Sequence, residues 1–425
     1  MKKIRILFLI LLMLILSVLE IGCKRKFAPD ASPEYKFETD CQYNHYSVSI
    51  NGFLTESEKG FYYTADGYLH FVDKHTMQDT ILCGKPNCLH GKEFSDSNQV
   101  HHNFECNAYV HGLSYFVAYD GALYCVIDKQ TEGFSPSVEP VFTRISEDGS
   151  SRKELFPVDF GVEEGLEMPS YHFFIHRGVV YFATGFAKRD KETYWPEVVE
   201  YRIYSYNLTT KKTEKLYSIA ADAEEGYWGN NIYAIGDNIY LISGKYDGDD
   251  DDHIWRFNLS TKEVTFFEYG QRVLPVGDKL LYYFVDFDLN GEERSFRHWL
   301  EVSDLDGSNR QAYTKIDLND HPMWIKQIQT DGEHLFITDN YGEPGATEIR
   351  TYDFQTGEQI ATIPMPEKVA PMGDRQIFCS QDGKLWTYSV LGYDENGVLP
   401  RIFFYCDIST IGTPDFQWQE VEKVN

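Results

Sequence analysis

Local catalytic motifs are missing from this chain of 425 residues. No G-x-S-x-G elbow, H-E-x-x-H helix, Walker loop or G-x-G-x-x-G turn occurs in it, which excludes the local signatures of serine hydrolases, zinc proteases, P-loop nucleotidases and dinucleotide enzymes. No organic cofactor is therefore expected. Positive charge is scarce: 39 Lys and Arg stand against 66 Asp and Glu, a formal net charge of −27. Such a field repels phosphate backbones, so nucleic acid is not an expected partner. It suits cations, basic proteins or uncharged ligands, although acidity also simply keeps an exported surface soluble. Long apolar runs are absent except for Ile6 to Leu19, fourteen residues where a membrane-crossing helix needs about 20.

That one run has the layout of an export signal. Lys2, Lys3 and Arg5 precede it, and Glu20-Ile21-Gly22-Cys23 follows. A small residue directly before a cysteine resembles the bacterial lipobox, in which the cysteine is lipidated and becomes the mature N-terminus. The usual Leu three places before the cysteine is replaced by Glu20, with Leu19 one place early. The expectation is a lipoprotein signal peptide over 1–22 and a lipid on Cys23. The protein would then be attached to the cell membrane through that lipid alone, on the extracytoplasmic side. Cleavage to a soluble secreted form is the alternative. Residues 23–44, with Lys24-Arg25-Lys26, two prolines and little apolar periodicity, read as a flexible tether.

What the chain does contain is aromatic and turn-forming: 30 Tyr, 29 Phe and 32 Gly. Aromatic residues fit pleated, half-buried surfaces, and glycines punctuate turns, so the composition leans all-β. One pattern recurs seven times: an aromatic-rich strand, an Asp or Asn turn with Ser, Thr or Gly, and a short strand with an apolar end. Its turns begin at 73, 147, 207, 258, 304, 353 and 407, and after the first gap the spacing is 46 to 60 residues. A tight hairpin precedes six of the seven copies, as in AYDGALYCVI at 118–127 and AIGDNIYLIS at 234–243. Together the two hairpins give four antiparallel strands, A to D, per unit. Blade 1 differs, since Asp66-Gly67 joins B to C and strand A is expected near Tyr46–Gly52.

Seven such units without intervening helices describe a seven-bladed β-propeller over 45–425, with six or eight blades as the alternative counts. The repeated texture resembles the TolB-like and related propellers of exported Gram-positive lipoproteins, over about residues 45–423. The resemblance implies a fold, an extracellular location and a bias toward binding rather than catalysis.

In a propeller the A–B and C–D turns share one face, and the B–C and D–A connections share the other. Here the first set is nearly all minimal, while long loops fall between B and C at 128–139, 185–197, 244–252, 286–297, 339–347 and 391–399. These loops are acidic and carry Phe134, Trp195, Tyr246, Tyr341 and Tyr393. Exposed aromatics among carboxylates suit sugars or protein partners, with Trp195, Tyr246 and Tyr341 the candidate ligand contacts. Ordinary solvated hairpin tips would also be polar.

Two loops invite a calcium reading. Asp247 to Asp252 is nearly all carboxylate, and Asp286, Asp288 and Asn290 copy the first half of a D-x-D-x-N-G loop. Arg297 stands where such a loop has its bidentate Glu, and an Asn-Gly hairpin explains 290–291 equally well.

The most specific feature is an insertion at 83–111. Cys83, Cys88, His90 and Cys106 offer three thiols and an imidazole, the donor set of a closed structural zinc site, with His101, His102 and His111 as spare donors. A disulfide, which export permits, and free thiols are the alternatives. A disulfide strands one of the three sulfurs unless Cys41 joins. Cys125, Cys379 and Cys406 lie in apolar strands and read as small buried hydrophobes.

The expected function is that of a surface-exposed binding or assembly module for an extracellular protein or glycan. The alternative is a carbohydrate-active enzyme, a glycosidase or lyase, whose paired carboxylates would come from different blades into the central channel and leave no local motif.

Overall fold

The computed structural model describes residues 54–65, 68–88, 94–96, 99–101, 106–110, 116–129, 139–160, 163, 165–189, 196–220, 227–245, 253–267, 270–288, 295–318, 325–339, 348–368, 376–390 and 401–423. The expected signal peptide, Cys23 and the tether lie outside the described residues.

The alternating aromatic strands fold into seven consecutive antiparallel sheets, the blades of a β-propeller. Blade 1 contains strands A to D at Leu54–Glu56, Gly60–Ala65, Tyr68–Asp73 and Gln78–Ile81. Blades 2 to 7 occupy 116–157, 167–220, 227–267, 270–313, 325–364 and 376–420. Within every blade the strands pair in chain order, so all six remaining blades are simple meanders. In blade 1 the Ala65↔Tyr68 pairing confirms that the B–C connection is the tight turn. Strand A, however, is Leu54–Glu56, later than the expected stretch at 46–52, which lies outside the described residues. Leu54 is buried at this position, which lets a short strand fill the innermost place.

Among the described residues the buried apolar side chains fall into five clusters, the largest reaching from blade 4 round to blade 1. Apolar side chains form layers between adjacent blades, as where Phe142 of blade 2 meets Phe173 and Phe182 of blade 3 edge-on at 5.2 and 5.4 Å. Edge-to-face pairs of this kind add to the area they bury. Strand periodicity explains the arrangement: alternate side chains point to opposite faces, and both faces of a blade are covered by neighbours.

In blades 1, 3 and 4 the recurrent Asp or Asn does the same job. At the end of strand C its Oδ1 accepts backbone N–H groups two and three residues on: His75 and Thr76 for Asp73, Thr209 and Thr210 for Asn207, Ser260 and Thr261 for Asn258. This satisfies donors that the strand ladder leaves free. The turn closes on a residue in the left-handed region, Gly357 at φ 78° in blade 6. That glycine lies against the Lys315 carbonyl of blade 5; an added Cβ would stand 2.4 Å from the oxygen.

The ring closes through its last residues. Glu422–Lys423 pairs in parallel with Gln78 and Asp79, adding a fifth strand to the outer edge of blade 1. Inside this seam Trp386 packs on Phe61 at 4.4 Å and Phe403 on Tyr63 at 4.2 Å.

Candidate metal centre

The link from blade 1 to blade 2 runs from Leu82 to the strand at Phe116–Tyr119 and brings Cys83, Cys88 and Cys106 together, their sulfurs all within 4.8 Å of one another. Cys106 is buried; Cys83 and Cys88 are half-buried. Two local devices produce this. The Lys85-Pro86-Asn87 stretch turns back, with Cys88 N–H donating to the Lys85 carbonyl at 3.4 Å and Asn87 in the left-handed region at φ 59°, which asparagine tolerates. Residues 106–110 then return along blade 1, where Leu69 N–H donates to the Ala108 carbonyl at 2.8 Å and Tyr68 bridges Tyr109.

Both cysteine-bearing segments converge on one acceptor in blade 2. The Gly149 carbonyl, in the C–D turn, receives Gly84 N–H at 3.1 Å and Asn107 Nδ2 at 3.0 Å. Arg152 adds a hydrogen bond to the Tyr109 carbonyl at 2.6 Å. The cluster therefore sits between blades 1 and 2, held to a tight turn of blade 2. Its apolar neighbours include Tyr62, Leu69, Leu123 and Ile145, so the insertion shares the interblade layer.

The three sulfurs differ electrostatically. Burial works to raise Cys83, but the backbone N–H of Lys85, the Cys106 and Cys88 thiols and the N–H of Asn107 together hold it below the usual thiol range. Burial pushes Cys106 up to about 12, against the N–H of Ala108. Burial and then Cys83 raise Cys88.

Of the other candidate donors, His101 ends the small strand Gln99–His101, which pairs with Phe94–Asp96 inside the insertion, a hairpin that the sequence did not signal. His90, His102 and His111 lie outside the described residues. So do Asn290 and the aromatic candidates Trp195, Tyr246 and Tyr341. Asp286 and Asp288 belong to strand B of blade 5, Lys279–Asp288, with Asp286 exposed and opposite Arg297, and Asp288 opposite Ser295. Cys125, Cys379 and Cys406 are buried in their strands as expected.

No protein-family model matches this chain, and no curated protein does. Among solved structures it is similar to a prolyl endopeptidase, at 12% identity over 90% of this chain and 52% of that one, with a TM-score of 0.55. The chain thus spans about half the length of that enzyme. The β-propeller domain of the Trilobed protease from Pyrococcus furiosus matches at 12% identity over 74% of this chain and 98% of that domain, TM-score 0.39. A chain of a Nidogen/Laminin complex matches at 12% over 72% and 93%, TM-score 0.35. Identity at this level speaks to fold and leaves what the chain binds to its own residues.

Proposed function

We propose that this protein is a lipid-anchored, extracytoplasmic binding module that holds an envelope glycan or a surface protein against one face of the propeller. The observation that carries the reading is the asymmetry of the strand ends. On one face strands are joined by turns such as Asp120-Gly121 and Gly236-Asp237. On the other, the strands bounding 130–138, 190–195, 246–252, 289–294, 340–347 and 391–400 leave much longer connections. Variable connections on a rigid scaffold are where binding surfaces are usually built.

Leu54 enters the innermost strand from that same end, because the A–B turn of blade 1 lies at the opposite one. A ring held through Cys23 is then tethered from its long-connection face. The catalytic alternative has less support. Among the described residues, Glu56 and Glu167 are the only carboxylates of the seven innermost strands. Glu56 is already engaged by Lys74 and by the Gln381 N–H.

The test is a binding assay of the purified chain against envelope polysaccharides and intact cells. A variant with the connections 190–195 and 246–252 shortened to two-residue turns is run beside it. Loss of binding in the shortened chain supports the reading. Equal binding by both chains removes it.

A further inference from the structure

We infer that Cys83, Cys88 and Cys106 form a trithiolate site for zinc that clamps blade 1 to blade 2. Three features of the cluster choose a cation over a disulfide. First, each sulfur is close to both others. A tetrahedral zinc with bonds of about 2.3 Å holds its sulfurs in such a mutual triangle, whereas a bridge joins two and leaves the third behind. Second, the backbone is aimed at the sulfurs. Cys83 accepts N–H groups from Lys85 and Asn107, and Cys106 accepts the N–H of Ala108. In Cys83-Gly84-Lys85 and in Cys106-Asn107-Ala108 the donor is two residues after the acceptor, so one device is used twice. N–H groups aimed in this way hold each of these two sulfurs in place toward the shared centre. Third, the donors are soft. Sulfur selects zinc over the hard cations calcium and magnesium, which take oxygen.

The site's place in the fold gives the ion its role. The chain leaves blade 1 at Cys83 and returns at Cys106, and both arms hang on the single Gly149 carbonyl. Residues between the two arms contribute only the small Phe94–Asp96 and Gln99–His101 hairpin to the described structure. A metal joining the arms closes this excursion at its base and turns binding free energy into stability of the junction. We assign no residue to the fourth coordination corner.

The experiment uses the full chain purified under reducing conditions. Elemental analysis is expected to find one zinc per chain, absent from the C83S/C88S/C106S variant. Cobalt replacing zinc is expected to give a thiolate charge-transfer absorption that weakens in C88S. That variant changes a half-buried sulfur and so guards against misfolding of the triple variant. Zinc is expected to protect the three thiols from alkylation until a chelator is added. Two results overturn the site. One is a chain that takes up neither zinc nor cobalt while its thiols alkylate freely. The other is an unreduced chain lighter by two hydrogens, with the bridge mapped to two of these three cysteines.

Discussion

The backbone N–H of Gln381 donates to Oε2 of Glu56 at 2.9 Å, joining residues 325 positions apart in the chain. Glu56 also takes Lys74 on its other oxygen. One carboxylate thus ties the first and last blades at the inner end of the seam. Replacing Glu56 with Ala leaves a partly buried ammonium and a backbone donor unsatisfied. It is expected to cost about 2 kcal/mol, and Gln, which keeps an acceptor, about half of that. Urea unfolding of the two variants checks the order; equal midpoints for Ala and wild type would show that the seam does not depend on this side chain.

Gly357 and Gly383 both have φ 78°, yet only Gly357 faces a neighbour within van der Waals reach. Gly383→Ala is expected to cost about 1 kcal/mol, the strain of a left-handed alanine. Gly357→Ala adds the collision with the Lys315 carbonyl and is expected to cost about 2 to 4 kcal/mol. Thermal unfolding of the pair separates conformational strain from blade-to-blade contact.

His334 Nδ1 lies 2.8 Å from Asp331 Oδ2 in the A–B turn of blade 6. The Asp331 hydrogen bond raises His334 above its ordinary 6.5. Burial acts to raise Asp331, but hydrogen bonds from His334 and from the N–H groups of His334 and Glu333 hold it below 3.8. The histidine's contribution is complete below pH 6.5 and is lost as pH rises through its elevated folded value. The aspartate's is complete above 3.8 and is lost as pH falls below it. The pair therefore supports the fold most between these limits. Asp331→Asn is expected to remove about 1 kcal/mol at pH 5.5 and less at pH 8.5, read as denaturation midpoints. A loss independent of pH would contradict the assignment.

Chelation is expected to lower the unfolding midpoint of the wild-type chain and leave C83S/C88S/C106S unaffected. Zinc at a hundredfold excess over its dissociation constant contributes about 2.7 kcal/mol to the folded state. His90→Ala extends the test to the fourth corner: a weaker zinc affinity without loss of the three protected thiols identifies His90 as a ligand.

The blades were legible because their chemistry is local. Asx turns such as Asp353-Phe354-Gln355-Thr356-Gly357, and hairpins such as Gly236-Asp237, declare themselves within a few residues. The tie between chain ends was not, since Val421, Glu422 and Lys423 carry no pattern of their own and act only where Gln78 and Asp79 offer an open edge. Strand A of blade 1 was misplaced for a related reason: Leu54-Thr55-Glu56 is only three residues long, whereas Ser47-Val48-Ser49-Ile50 before it alternates polar and apolar. The cysteine spacing announced three ligands but gave no hint of Gly149, the distant carbonyl that brings the two arms together.

Each blade is a contiguous piece of chain, and among the described residues only the strand pairing of Glu422 and Lys423 joins the first and last blades. Such a topology keeps contact order low, so a blade has its own partners as soon as its residues are available. A chain emerging from its N-terminus would assemble blade upon blade in the order of emergence. The finished ring would be sealed last, when Glu422 and Lys423 reach the open edge that Gln78 and Asp79 have offered since the first blade formed.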